Sequence, residues 1–335
     1  MEEDILALKS YLAMPRDITI IAHRNPDGDA LGSSLGLKLF LERFGHAVTV
    51  VMPSEAPNTF SFLPAISSIV VFDLRHDDAR AALDKADCIF CLDFNALDRV
   101  DKLGENIQFS KAKKVLIDHH LDPEPFADHI FSDTAASSTC ELIYKFIDDI
   151  GRKELINEQI GTCLFTGLIT DTGSFRYATR PYTYEVAAKL KEVGVDDYQL
   201  QDSINNNLKE KHLRLLGHCL ANRMEVIDDY GVAIIHLTKQ DYIDFDIQRG
   251  DTEGIVNQLL MMRHVVVAAF ITEQPSIVKM SLRSKGDISV QEIAANHFRG
   301  GGHKNASGAG VYAKLEDVLD KFKRIIPKYL DKLEK

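Results

Sequence analysis

Short, mostly apolar runs alternate with stretches of helical spacing through the first half of the chain. The runs fall at 17–22, 47–52, 88–92 and 114–117, and the helical stretches at 30–44 (stopping at Gly45), 79–86, 137–150 and 158–170. Continuous apolar strands between helices predict a mostly parallel sheet covered on both faces. From about Tyr184 to Asn222 the pattern is helical with mixed charge. At Met224 the strand pattern restarts, with strands expected at 224–227, 232–237, 265–272 and 277–282 and helices at 254–262, 290–295 and 315–330. The expected fold class is α/β: a first domain over 1–190, a helical linker over 191–223, and a smaller α/β domain over 224–335, with a cleft between the two domains.

Length agrees with this division, since 335 residues exceed one ordinary core. Hydrophobic residues at 45% and charged residues at 27% are the composition of a globular protein, and no apolar stretch approaches the roughly 20 residues of a membrane span. The start, Met1-Glu2-Glu3-Asp4, is too acidic for a signal or transit peptide, so a cytoplasmic location is expected. Five cysteines form no disulfide framework. Cys88 and Cys91 make a C-x-x-C, but inside an apolar run and with no second pair to complete a zinc site, so they read as buried small hydrophobes. A formal charge of −11 disfavours long polyanions, and duplex nucleic acid and membranes are not expected partners. Attraction to an anionic substrate must then be local, through a few basic side chains or bound cations.

Ligands of α/β sheets bind beyond the carboxyl ends of the strands. Here those ends carry metal-ligating residue types: His23, Asp27 and Asp29 after the first strand, Asp93 after 88–92, and Asp118-His119-His120 after 114–117; Asp171 follows at the end of helix 158–170. Each has an ordinary alternative. Asp29 could cap the helix that follows, Asp27-Gly28 is turn chemistry, Asp171 before Gly173 could be a helix end, and a His-His pair is often solvated surface. Together, four aspartates and at least two histidines at one sheet edge would repel unless cations lay between them. Two divalent ions would neutralise four carboxylates, and mixed imidazole and carboxylate ligands suit Mn²⁺ and its transition-metal neighbours better than Ca²⁺ or Mg²⁺. Such a pair can activate water and clamp a phosphoryl displacement.

His23-x-x-x-Asp27-x-Asp29, Asp93, Asp118-His119-His120 and Asp171 resemble, in order and spacing, the four motifs of the DHH phosphoesterase superfamily. The second half resembles its DHHA1 domain at 253–257, at Met280-Ser281-Leu282-Arg283-Ser284 and at 299–308, which contains Gly300-Gly301-Gly302-His303-Lys304. The size looks like the branch of nanoRNases and phosphoadenosine-phosphate phosphatases, also labelled exopolyphosphatase-related. The resemblance implies that His23 and Asp27 hold one metal, that Asp29, His119 and Asp171 hold the other, and that Asp93 bridges them. It places His120 against the substrate phosphate and Asp118 behind a histidine ring that it orients. No motif residue is missing, which argues against an inactive member.

In the second half, three consecutive glycines let backbone N–H groups approach an anion, and Arg283, Arg299, His303 and Lys304 add charge. A solvated turn is an equal reading for Lys285, Arg299 and Lys304, whereas the resemblance favours Arg283, Ser284 and His303 as substrate contacts. The function this implies is hydrolysis of short oligoribonucleotides or 3′-phosphoadenosine 5′-phosphate, with a homodimer compatible. A cyclic or linear dinucleotide is the next substrate class, followed by pyrophosphate or polyphosphate. A nucleic-acid-binding regulator with a structural metal site is the rival from another class.

Overall fold

The computed structural model describes residues 2–206, 208–248 and 250–330. They fall into two compact units, the first ending at Asn207 and the second starting at Leu208. In the first unit the chain runs α1 (Glu2–Tyr11), β1 (Asp17–Ala22), α2 (Gly28–Arg43), β2 (Ala47–Met52), β3 (Val70–Val71), α3 (His76–Lys85), β4 (Cys88–Leu92) and α4 (Leu103–Phe109). It continues with β5 (Lys113–Asp118), β6 (His129–Ser132), α5 (Thr139–Asp149), α6 (Glu158–Asp171), α7 (Pro181–Glu192) and α8 (Asp197–Asn205).

The strands form one sheet in the order β3-β2-β1-β4-β5-β6, and every pairing is parallel. The chain leaves β1 in one direction and returns at β4 on its other side, so the order reverses between β1 and β4. Alternate side chains of these strands build two cores. Ile20 and Phe90 pack with Leu35 of α2, Phe146 of α5 and Leu164 of α6, whereas Ile21, Ile89 and Leu116 pack with Leu83 of α3 and Ile107 of α4. The same alternation sends Cys88 into the first core and Cys91 into the second, so the C-x-x-C cannot chelate one ion. Burial pushes the Cys88 thiol up to about 12.

On the first face α2 and α6 approach closely. Gly28, Gly32 and Gly36 lie at one-turn intervals on α2 and turn the same side toward α6. A methyl group on Gly36 would sit 2.8 Å from Leu164 Cδ2, and one on Gly32 would overlap the carbonyl oxygen of Cys163. That stripe was not part of the sequence reading.

The second unit comprises α9 (Glu210–Asn222), β7 (Met224–Ile227), β8 (Val232–Leu237), α10 (Lys239–Asp244), α11 (Ile255–Leu259), β9 (Val267–Glu273) and β10 (Val278–Ser284). It closes with α12 (Val290–Phe298), β11 (Gly301–His303), β12 (Ala306–Val311) and α13 (Leu315–Ile325). Its sheet, β11-β12-β10-β9-β8-β7, is antiparallel except for the β8–β9 pair. Phe298 and Phe322 cover one face, and Leu215, Cys219 and Val256 the other.

Several elements differ from the sequence expectation. The stretch 191–223, expected as a linker, divides between the units: α8 packs on α6, and α9 packs on β7 and β8. The glycine run is not an open loop, because Gly301–His303 is a strand paired with β12. The last long helix stops at Ile325, ahead of Pro327. Among the described residues no helix is long and apolar enough to cross a membrane.

The α2–α6 contact gives a stability prediction. Gly32→Ala should lower the unfolding free energy by about 1–3 kcal/mol, because overpacking against backbone outweighs the gain in helix propensity. Denaturant unfolding measures this, and an equal or higher midpoint would show that the helices tolerate a wider spacing.

Candidate metal centre

The sheet register assembles the centre. Ala22 pairs with Leu92, and Leu92 with Ile117. The residues that follow them, His23, Asp93 and Asp118, therefore emerge side by side at the carboxyl edge, where the strand order reverses. Asp93 adopts φ 62°, a left-handed conformation that costs an L-residue about 1–2 kcal/mol and that aspartate tolerates better than most. A strained residue at a strand end is a common mark of a functional position.

Three helix termini supply the rest. Asp27 caps α2, its Oδ1 accepting from the Asp29 and Ala30 amides at 3.0 Å each, and its Oδ2 lies 3.8 Å from His23 Nε2. Asp29, fully buried in the first turn of α2, accepts from the amides of Thr139 (2.6 Å) and Cys140 (2.9 Å), the first two residues of α5. A carboxylate at a helix N-terminus is favoured by the unpaired amides and the helix dipole. Thr139 Oγ1 also donates to Asp93 Oδ1 at 3.1 Å, so one helix start anchors two carboxylates. Asp171 ends α6, at the unfavourable pole of that helix, and the α2–α6 contact brings it beside Asp29.

His23 Nε2 lies 3.3 Å from Asp93 Oδ2, and His119 Nε2 lies 3.2 Å from Asp171 Oδ2, 3.6 Å from Asp93 Oδ1 and 3.9 Å from Asp29 Oδ2. Three sets of possible ligands result, each with ligand atoms within 4.8 Å of one another: His23, Asp27 and Asp93; Asp29, His119 and Asp171; Asp93, His119 and His120. Two of the sets share Asp93. His23 Nδ1 meets the carbonyl of Arg24 at 2.9 Å, which leaves Nε2 to face the carboxylates. His120 Nδ1 is held by Asp118 Oδ1 at 2.7 Å, so Asp118 orients a histidine ring.

The electrostatics fit divalent cations. Burial alone would lower the proton affinity of His119, but Asp171, Asp93 and Asp29 raise it to about 11. His23 is also raised by Asp27 and Asp93 against the effect of burial. Burial opposes ionisation of Asp93, yet His23, His119 and His120 hold it well below the carboxylate range. Burial pushes Asp171 up to about 6 and raises Asp29. Protons thus balance the carboxylate cluster, and cations can replace them. The buried Asp118 Oδ2 has no hydrogen-bond partner among the described residues, which leaves one acceptor unused beside the cluster.

The second-unit residues divide. Arg283 pairs with Ala306, and Ala306 with His303, so Arg283 and His303 lie in one row across three strands and share a sheet face. Arg283 donates to the Leu282 carbonyl at 3.0 Å, and burial lowers its proton affinity. Ser284 is buried and committed internally: its Oγ donates to Ile288 O at 2.6 Å and accepts from Asn305 Nδ2 at 2.9 Å. Lys304 is exposed and pairs with Asp287 at 2.8 Å. Gly300, Gly301 and Gly302 enter the β11–β12 hairpin, where a methyl group on Gly300 would overlap Gly308 O.

Sequence reasoning missed the α5 amides and a buried network beside them. Glu141 of α5 accepts from Arg180 Nε (2.7 Å), Thr183 Oγ1 (2.6 Å) and Ser137 Oγ (2.7 Å), tying the chain beyond Asp171 to α5. Ser138 with Glu141 three residues later is a helix-start signature, a signal for the first of these.

A sheet of this order with such a centre defines an α/β phosphoesterase. Residues 17–168 match the DHH family, N-terminal domain, and residues 230–329 match the DHHA1 domain; the chain belongs to the DHH family. It is 30% identical over 327 residues to a Streptococcus mutans protein named probable bifunctional oligoribonuclease and PAP phosphatase NrnA, covering 96% of this chain and 99% of that one. It is 29% identical over 317 residues to the Thermus thermophilus bifunctional oligoribonuclease and PAP phosphatase NrnA, covering 94% and 89%. A crystal structure of an exopolyphosphatase-related protein from Bacteroides fragilis superposes with a TM-score of 0.95 at 36% identity, covering 98% and 97%.

A centre that balances its charge with cations should be stabilised by them. With Mn²⁺ at about 100 times its dissociation constant, linkage adds about 2.7 kcal/mol per site, seen as a higher melting temperature that chelator reverses. Asp93→Ala, which removes the shared carboxylate, should abolish most of that rise. A melting temperature indifferent to divalent ions would refute the assignment.

Proposed function

We propose that this chain is a two-metal phosphoesterase that hydrolyses short oligoribonucleotides and 3′-phosphoadenosine 5′-phosphate. The observation that carries the reading is three overlapping His/Asp sets, two joined through Asp93 and two through His119, at the carboxyl edge of the parallel sheet. His23 and Asp27 would hold one ion, and Asp29, His119 and Asp171 the other, with Asp93 serving both. The mixture of imidazole and carboxylate favours Mn²⁺. Bound ions would supply Lewis acidity toward the phosphoryl oxygens and make water acidic enough to deprotonate near neutral pH.

The chain's own residues do the remainder. Asp118 fixes the His120 ring, which would meet a phosphoryl oxygen or the leaving oxygen of the substrate. Thr139 and the α5 amides keep Asp93 and Asp29 in place as charge develops. Arg283 and His303, on one face of the second sheet with only the Ala306 methyl between them, grip a phosphate or ribose of the substrate. Ser284, Lys304 and the three glycines support this grip indirectly, through the turn and hairpin they build. Preference for short substrates follows from local attraction in a chain of charge −11, which offers little to long RNA. Residence in the cytosol belongs to the same reading, because five reduced thiols suit that compartment.

Chelation should abolish hydrolysis of a dinucleotide, and Mn²⁺ should restore it better than Ca²⁺. Asp93→Ala should reduce turnover by on the order of 10³-fold while the fold persists. Activity retained after verified metal removal would end the two-metal reading.

Arg283→Ala should raise KM for dinucleotides roughly 10- to 100-fold, the worth of a charge-assisted hydrogen bond, with metal binding unchanged. Hydrolysis of bis-p-nitrophenyl phosphate should suffer much less. Equal losses on both substrates would mean that Arg283 serves the fold rather than the substrate.

A further inference from the structure

The chain immediately beyond Asp171 has an unusual backbone. Gly173, Ser174, Phe175 and Ala178 have φ of 55°, 61°, 63° and 50°, so three residues other than glycine adopt the left-handed region within one short segment. Such strain persists only where surrounding contacts impose it. Here Thr172 O accepts from the amides of Arg176 (2.8 Å) and Tyr177 (2.9 Å), Thr172 Oγ1 accepts from Phe175 N (2.7 Å), and Ser174 Oγ donates to Gln201 (2.7 Å). Phe175 turns inward, 5.8 Å from the Phe165 ring.

What the strained segment presents outward is Tyr177. Phe175 is partly buried against the core, whereas Tyr177, two residues away, is 51% exposed. The ring edge rests on Gly173, where a methyl group would lie 2.7 Å from it, so this placement requires glycine there. The Arg176 guanidinium sits 5.4 Å from the ring centroid and has no salt bridge among the described residues. On a chain of charge −11, an arginine without a carboxylate partner beside an exposed ring is chemistry suited to a nucleotide. The position is equally specific: Gly173 Cα lies no more than about 7.6 Å from Asp171 Cα, two peptide units away. The ring therefore lies within about one nucleotide's length of the backbone that carries Asp171.

We propose that Tyr177, backed by Arg176, is a nucleobase-stacking subsite for the nucleotide whose phosphate is held at the His/Asp centre. The inference rests on the phosphoesterase reading and adds to it the part of the substrate that the ligand cluster cannot sense. Stacking accepts any base, so the subsite would give affinity for nucleotides over base-free phosphates without strict sequence preference.

The test uses the Mn²⁺-loaded chain and two probes, adenosine 5′-monophosphate and ribose 5-phosphate, titrated calorimetrically, together with KM for a diadenylate. The wild type should bind the nucleotide at least ~10-fold more tightly than the sugar phosphate, the scale of one stacked base. Tyr177→Ala and Tyr177→Leu should remove most of that preference and raise KM in proportion. Tyr177→Phe, which keeps the ring, should retain both. A preference unchanged in Tyr177→Ala, or lost equally in Tyr177→Phe, would overturn the subsite while diadenylate turnover leaves the phosphoesterase reading intact. A wild type that hydrolyses no nucleotide overturns both.

Discussion

Repulsion among carboxylates is the constraint on which the first unit depends. Asp27, Asp29, Asp93, Asp118 and Asp171 converge on one sheet edge, and most of them are shielded from water. Left uncompensated, such a cluster would oppose folding. The chain compensates with fixed partial charges and mobile protons. The α5 amides take Asp29, the α2 amides take Asp27, and the imidazoles of His23 and His119 take protons that cations can displace. The centre is thereby shaped before any ion arrives, and its ligands need little rearrangement to receive one.

Packing far from the edge sets the geometry at the edge. Asp29 and Asp171 sit on different helices, and their distance follows from how closely α2 and α6 approach, which the glycines of α2 determine. Gly167 of α6 is subject to the same restriction, because a methyl group there would overlap Cys140 Sγ and the Asp29 carboxylate. The Glu141–Arg180 network then couples α5 to the segment that carries Tyr177. The Tyr177 segment and the candidate metal ligands are therefore held by the same three helices.

The central strands were legible because each is a continuous apolar run: 17–22, 47–52 and 88–92 coincide with β1, β2 and β4. The candidate ligands were legible as a cluster because histidine and aspartate at strand and helix ends leave a residue-by-residue trace. The edge strands were not. β3 has two residues, β6 is partly exposed, and β11 and β12 are rich in glycine and alanine, so no apolar run marks them. For the same reason the glycine run 300–302 gave no sign of the strand pairing that Gly301–His303 makes with β12. Ser284 and Lys304 carry donors that suit a phosphate, and only the coordinates reveal that those donors are already engaged by the turn. The α5 amides left only an indirect trace, the Ser138 and Glu141 helix-start pair, because backbone groups belong to every residue.

The ligand atoms come from the first strand to the end of α6, spread from His23 to Asp171. A ribosome-bound chain that has extruded only the residues through α2 offers an ion no more than His23, Asp27 and Asp29. Selective metal capture therefore waits until the parallel sheet has closed and α6 has docked. A complete set of candidate ligands therefore exists only in the folded unit, which ties any gain in metal affinity to completion of its topology.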